Sequence, residues 1–371
     1  MRSTGAGPAT FELPPGLVTP AVVVDRSIVE RNIATMARDV AALGIALRPH
    51  IKTHKMVDVA RLQLAAGAAG ITAGTLGEAE IMAAGGIDDI FIAYPLWVTA
   101  AEADRLRRLN AVAELRVGVE SAEAAAVLGD ALRGVVPPLK VLVEVDSGEH
   151  RTGVRSPADA ARVARAAQVA GLEVRGVFTH GGHGYRSAEL RMQAAHDEAG
   201  VLEAAAEAME AAGIPAPERS AGSTPTTPVG VRDGITEQRP GTYVFGDRQQ
   251  VALGSVARDA VGLAVAATIV SLQQPGYAII NAGAKMLARD RPAFLDGFGI
   301  IPALGDAVVE RVYDYHGVVR LPRGIRPAHG QVVAVIPNHV CPVVNLVDAV
   351  TVAVDGHVAD TWRVDARGQN G

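Results

Sequence analysis

At 371 residues the chain has room for about two domains of roughly 100–200 residues each, and 49% hydrophobic against 20% charged residues excludes disorder over most of its length. A net charge of −5, from 35 basic and 40 acidic residues, gives no electrostatic reason to expect nucleic acid or an anionic membrane as partner. No apolar run reaches the roughly 18 residues of a membrane-spanning helix, and the lone Cys341 excludes an internal disulfide framework and fits a reducing cytoplasm.

Residues 1–18 hold one Arg, no apolar run of leader type and several Pro and Gly breaks, so a flexible tail is expected there instead of a signal peptide. An early strand at 19–25 follows. From 26 to 244 short apolar runs (45–47, 70–73, 90–93, 115–119, 139–145, 174–179 and near 219–221) alternate with helical patterns (27–43, 54–66, 76–84, 100–109, 121–132, 157–170 and 188–212). Ser27 with Glu30, Ser121, and Ser156 ahead of Pro157 read as helix caps. Gly67, Gly85, Gly171 and Gly213 read as left-handed helix ends. Such alternation means parallel strands joined by crossover helices. It predicts an α/β fold with a (β/α)8 TIM-type barrel, an open doubly wound sheet being the second choice. From 245 to 371 the texture becomes Val-rich runs at 260–272, 278–281, 308–313, 317–320, 331–336, 343–346 and 349–354, with an Asp355-Gly356 hairpin signal. This predicts a C-terminal β domain, which the strand at 19–25 is expected to join.

Lysine is rare: Lys52, Lys55, Lys140 and Lys285 stand among 31 arginines, and two of the four share the octapeptide RPHIKTHK at 48–55. A position that stays Lys in an Arg-rich chain suits an amine that has to lose its proton, which Arg does not do. In a barrel, chemistry gathers at the C-terminal strand ends. Lys52 follows the first barrel strand there, Asp146 and Arg151 another, His180 and His183 the next, and Gly/Ser/Thr loops (GSTPT at 222–226, then Gly241 and Thr242) the last two. A lysine after the first strand and a phosphate cradle after the seventh and eighth point to pyridoxal phosphate, with Lys52 as Schiff-base partner.

TPAVVVD (19–25), RPHIKTHK, GTLGEAEIMAAGGIDDIFIA (74–93), EVDSGEHRTGV (144–154), GSTPT, RPGTYVF (239–245), NAGAKMLARDR (281–291) and IPNHVCPVVNL (336–346) resemble the fold-type III pyridoxal-phosphate enzymes. Within these the chain is similar to the D-serine dehydratase / D-threonine aldolase branch, relatives of alanine racemase. The resemblance implies an alanine racemase-like fold and Lys52 as the cofactor lysine. It implies Gly222, Ser223, Thr224, Gly241, Thr242 and Tyr243 as cofactor contacts, and Arg151, His180 and Tyr185 around ring and substrate. A homodimer acting on a small D-amino acid is expected.

On an extended strand His339 and Cys341 would face one point, half of a tetrahedral Zn2+ site with places left for water and substrate. An isolated H-x-C is more often a packed thiol beside an unrelated imidazole, but the resemblance places a metal pair here. A thiolate favours Zn2+, where a carboxylate would suit Mn2+. Dehydratase-like members resemble H-x-C, and D-threonine aldolases more often H-x-D. One departure is Asp314-Tyr315-His316-Gly317, where the family commonly has two acidic residues before His-Gly. The expected reaction is removal of water and then ammonia from a β-hydroxy D-amino acid, with the Lys52 amine, its pKa lowered by desolvation, taking the α-proton. Aldolase-type cleavage to glycine and an aldehyde is the alternative. A racemase or a non-catalytic cofactor-binding protein ranks lower.

Overall fold

The computed structural model describes residues 11–231 and 233–371, which divide into two compact units. One comprises the chain up to Ala34, Thr53–Met56 and Thr242–Arg367. The other comprises Thr35–Lys52, Val57–Gly241 and Gly368–Gly371.

After β1 (Ala21–Asp25), which belongs to the first unit, the chain runs through α1 (Arg26–Ala42) into the parallel unit. Its strands are β2 (Ala46–Leu47), β3 (Ile71–Ala73), β4 (Asp89–Pro95), β5 (Glu114–Val119), β6 (Lys140–Glu144), β7 (Glu173–Phe178), β8 (Glu218–Ala221) and β9 (Glu237–Gln238). They pair in parallel in the order β2-β9-β8-β7-β6-β5-β4-β3, and a parallel bridge between His50 and Thr72 links the two ends of that order. The crossovers are α2 (Val57–Ala65), α3 (Leu76–Ala84), α4 (Ala100–Asn110), α5 (Ala122–Ala131), α6 (Pro157–Val169) and α7 (Leu190–Ala211). Ser121 and Ser156 cap α5 and α6 through their side chains. At α1 the cap is Asp25, whose carboxylate accepts the Ile28 N–H, and not Ser27, because the helix already starts at Arg26. At α3 the left-handed residue is Gly86 (φ +83°), while Gly85 has φ −77° and sits against the Val57 side chain.

Inside this sheet Phe91, Leu142 and Phe178 form an apolar layer, the two rings edge to face at 5.1 Å. Nearer the strand starts lies a network of ion pairs. Arg48 bonds Asp89 (2.5 Å) and Glu237 (2.6 Å), Arg116 bonds Asp89 (2.7 Å) and Glu218 (2.9 Å), and Arg175 bonds Glu218 (2.8 Å). The last strand, β9, is a polar dipeptide that the search for apolar runs passes over.

The other unit is a nine-stranded sheet of β1, β10 (Leu263–Ser271), β11 (Tyr277–Ile280), β12 (Gly299–Ile301), β13 (Ala307–Val312), β14 (Gly317–Arg320), β15 (Val332–Pro337), β16 (Ala349–Val354) and β17 (His357–Arg363). Six strands close a ring of antiparallel pairs, β10-β11-β14-β13-β12-β15 and back to β10. From β10 the sheet continues through β1 and β16 to β17, with β1 and β16 parallel. Asp355 (φ +50°) and Gly356 (φ +72°) make the tight β16–β17 turn. Short helices α8 (Arg248–Ala252), α9 (Ala284–Leu287) and α10 (Val340–Asn345) interrupt the strands. Residues 343–346, expected as a strand, therefore belong to a helix or its end. Pro342 explains this, since it has no N–H for a strand ladder yet fits the first turn of a helix, where that donor has no intrahelical partner. Within the expected tail, Phe11, Leu13 and Leu17 pack on buried Val23, Ala266 and Ala353; residues 1–10 lie outside the described residues. Among the described residues no helix is long and apolar enough to cross a membrane.

Candidate active site

Lys52 sits in a 3-10 turn (Ile51–Thr53) just past β2. Its N–H donates to His50 Nδ1 (3.3 Å), and the His50 N–H donates to the Pro240 carbonyl (3.0 Å). Ile51 and Thr53 are fully buried, so the turn is fixed while Lys52 itself is exposed. Its positive charge nevertheless acts on His180 at the end of the β7 strand. Lys55 is the opposite case: buried, with φ +54°, and its Nζ donates to Asn345 Oδ1 (3.0 Å).

His180 follows β7 and lies 6.0 Å from the Tyr185 ring, centre to centre. Burial first, and then the positive charges of Lys52, Arg151 and Arg239, hold its pKa well below the ordinary histidine value, so the imidazole is neutral near pH 7. Arg151 is exposed on the loop after β6. Asp146 organises that loop, accepting the N–H groups of Gly148 (2.9 Å) and His150 (3.0 Å). Beneath it Glu144 is buried. Its Oε1 accepts the Thr152 hydroxyl (2.9 Å), its Oε2 has no partner, and burial raises its pKa. Arg239, also buried, places its guanidinium 5.6 Å from both the Phe91 and Phe178 ring centres and donates to Ser220 Oγ and the Thr179 carbonyl.

In the loop after β8, Gly222 has φ +89°, where any side chain is strained, and a Cβ there would also displace Gln238 Oε1, which would lie 1.7 Å away. Its N–H donates to Glu198 Oε1 (3.2 Å), which also accepts the Gly181 N–H (2.7 Å). The Ser223 N–H donates to Thr226 Oγ1 (2.9 Å). Two amides expected to face a phosphate thus shape the loop itself. Buried Thr224 follows them, and Gly241 lies beside this loop because the Arg239 N–H donates to the Ala221 carbonyl (2.8 Å). Thr242 and Tyr243, the next residues in the chain, open a buried 3-10 turn that belongs to the other unit. An accessible lysine on a rigid turn, a neutral imidazole near it, and buried Gly/Ser/Thr loops with a glycine at positive φ fit pyridoxal phosphate.

His339 and Cys341 come together differently from the expected strand. β15 ends at Pro337, His339 is still extended (φ −142°, ψ 116°), and Cys341 lies in the first turn of α10. The two side chains nevertheless meet in a hydrogen bond, since a helical turn started at an extended residue also brings them together. His339 Nδ1 bonds Asp290 Oδ2 (2.5 Å), so that a metal would have to be held through Nε2. Burial opposes charge on this imidazole, but the Cys341 thiolate and Asp290 overcome it and raise its pKa to about 11. Asn338 fixes the backbone by donating to the carbonyls of Asp290 (2.9 Å) and Gly297 (2.8 Å). Buried Asp247, pushed up to about 6 by desolvation, accepts the N–H of Val340, the residue that separates the pair. No group of three His, Cys, Asp or Glu set for a metal occurs among the described residues. The fit is therefore to an ion with two protein ligands, an imidazole and a thiolate.

Sequence reasoning missed Asp290, Asp247, Glu198 and Arg239. Glu198 left a signal as a carboxylate on the apolar face of α7 together with Ala194, Ala195 and Leu202, and Arg239 and Asp290 lie within the motifs RPGTYVF and NAGAKMLARDR. Lys285 and Tyr315 form an exposed pair, with the ammonium 4.4 Å from the ring centre and 2.8 Å from the hydroxyl; His316 is exposed too.

The family profile described as alanine racemase, N-terminal domain, matches residues 24–249, and a putative serine dehydratase domain matches 262–353. The D-threo-3-hydroxyaspartate dehydratase of Delftia sp. (strain HT23) is 36% identical over 93% of this chain and 97% of its own. Its solved structure superposes with a TM-score of 0.87 over 94% of this chain and 97% of that one. Solved variants of that enzyme replace a histidine and, two positions later, a cysteine with alanine, the cysteine variant being in a metal-free form. A D-threonine aldolase of Arthrobacter sp. is 32% identical over 94% of this chain and 93% of its own.

Proposed function

The chain belongs to the family of the alanine racemase N-terminal domain, and from that membership we propose that it is a pyridoxal-phosphate- and zinc-dependent lyase removing water and then ammonia from a β-hydroxy D-amino acid. The observation that carries this reading is the His339–Cys341 contact with the imidazole anchored on Asp290. A racemase has no use for such a pair, whereas a lyase has to stabilise charge on a β-oxygen.

When bound, pyridoxal phosphate supplies an aldehyde for amines and a ring that stores an electron pair. Zn2+ supplies a Lewis acid for the β-oxygen. Lys52 holds the cofactor and, with its amine free, takes the proton from Cα of the D-amino acid at Nζ. Being exposed, Lys52 depends on the filled site for the desolvation that tunes it. Neutral His180 orients ring and substrate without adding positive charge, with Tyr185 against it and Arg151 paired to an anionic group. Thr224, Gly241, Thr242 and Tyr243 hold the phosphate end, and Gly222 and Ser223 keep the loop in shape. His339 and Cys341 hold the metal. The enzyme acts as a cytoplasmic homodimer, which light scattering on the purified protein checks.

The test is product identity with D-threo-3-hydroxyaspartate, D-serine and D-threonine. A 2-oxo acid and ammonia are expected, with a primary isotope effect when the Cα hydrogen is deuterium. The 32% identity to an aldolase supports the second reading, in which Cα–Cβ breaks and that hydrogen stays. Faster conversion of D-threonine to glycine and acetaldehyde than of any substrate to a 2-oxo acid would replace the dehydratase with the aldolase.

A further inference from the structure

We propose that Thr53 is a positioning residue for the Cys341 thiolate, and that its hydroxyl sets how strongly the sulfur donates to the metal. This rests on the reading that His339 and Cys341 hold a metal.

Thr53 is completely buried, and its Oγ1 lies 3.2 Å from Cys341 Sγ, within hydrogen-bond distance for sulfur. Thr242 Oγ1 also faces the sulfur, but at 3.9 Å, the outer limit of such a bond. A thiolate only accepts, so the Thr53 hydroxyl donates. A buried hydroxyl has to find a partner, and here the partner is an ionised sulfur, which makes the bond charge-assisted. The geometry is fixed from several sides. Thr53 closes the 3-10 turn that begins at Ile51, its neighbours Ile51 and His54 are fully buried, and a β-branched side chain has few rotamers.

The chemistry follows from the donor. Thiolate is a strong electron donor and makes its metal a milder Lewis acid than an oxygen ligand would. A hydrogen bond to Sγ draws charge back from the sulfur and restores part of that acidity, in the way outer partners tune a metal ligand. Asp290 does the opposite at the other ligand, since a carboxylate on Nδ1 makes the imidazole a better donor. The two ligands are thus adjusted in opposite directions by their neighbours. Thr53 also follows Lys52 directly in the chain, so one short turn carries both the cofactor lysine and the thiolate's donor.

The test uses the cofactor-loaded enzyme with Co2+ in place of zinc. Thr53→Val keeps the shape and removes the hydroxyl; Thr53→Ser keeps the hydroxyl. In Thr53→Val the sulfur-to-cobalt charge-transfer band should move to lower energy, because the sulfur donates more strongly without the hydrogen bond, while metal affinity by chelator competition should fall roughly tenfold, because the sulfur is no longer held in place and its thiol ionises less readily. Thr53→Ser should match the parent in both. Thr53→Ala is the second probe should the valine variant not fold, with the same expected shift. An unmoved band in either variant lacking the hydroxyl overturns the proposal. A parent protein that gives no charge-transfer band with Co2+ overturns the metal reading itself, and this proposal with it.

Discussion

The two units bury polar groups for different ends. In the parallel unit the interior near the strand starts is an ion network of Arg48, Arg116 and Arg175 with Asp89, Glu218 and Glu237, while the strand ends carry His180, Arg151 and the glycine-rich loops. In the β unit the core is mostly aliphatic, and among its buried polar residues Asp247, Asn338 and Thr53 gather around His339 and Cys341. One unit uses charge to fill a space that short strands leave between them. The other uses it to aim two side chains. A buried polar group therefore reports on function only once its partners are known.

The largest expected effect separates the site from its scaffold within one octapeptide. Lys52→Ala should lose the cofactor absorbance and roughly 10²–10⁴-fold in activity, with the melting temperature of the cofactor-free protein kept, because the side chain is exposed. Lys55→Ala should do the reverse, keeping the absorbance and losing stability. Borohydride trapping of the cofactor on any other lysine would reject the assignment.

Next comes the contrast in ion pairs. Arg48→Met leaves Glu237 without its buried ion-pair partner and Asp89 with Arg116 alone, and should destabilise by about 3–5 kcal/mol in denaturant unfolding. The half-exposed pair Arg258–Asp306 of the β unit should matter far less, with Arg258→Met under about 1 kcal/mol. Equal losses at the two positions would erase the distinction drawn between the units.

Asp290→Asn should weaken zinc binding roughly 10–100-fold in chelator competition, from about one Zn2+ per chain in the parent. An unchanged affinity would make Asp290 a surface partner only.

The smallest effect is a pH dependence. Burial raises the Glu144 pKa above its ordinary 4.5, so the folded state binds that proton more tightly than the unfolded chain. Its favourable contribution is present below about pH 4.5 and is lost as pH rises through the raised value. Glu144→Gln should therefore raise the melting temperature near about pH 8 relative to the parent, and the gain should vanish near about pH 4. A parallel offset at both pH values would mean the carboxyl does not titrate in that interval.

Strand–helix alternation, the change of texture after Phe245, the Ser121 and Ser156 caps and the Asp355-Gly356 turn were all legible, because each depends on residues near one another in the chain. So was RPHIKTHK, whose rare lysines stand out against 31 arginines. β9 was not legible, since a two-residue polar strand is defined by its neighbours β2 and β8 and not by its own periodicity. Nor was α10, where local valine content argues for a strand but Pro342 and the Asp247 carboxylate start a helix.

The sequence by itself determined the order of elements, the cofactor lysine candidate and the spacing of His339 and Cys341, all of which are local patterns of residue type. Tertiary structure alone decided which lysine is exposed, which amides the loop after β8 keeps for itself, and which groups sit behind His339 and Cys341. Asp290 lies 49 positions before His339, and Thr53 lies 288 before Cys341. No periodicity spans such separations, and only folding brings a carboxylate to an imidazole or a hydroxyl to a thiolate.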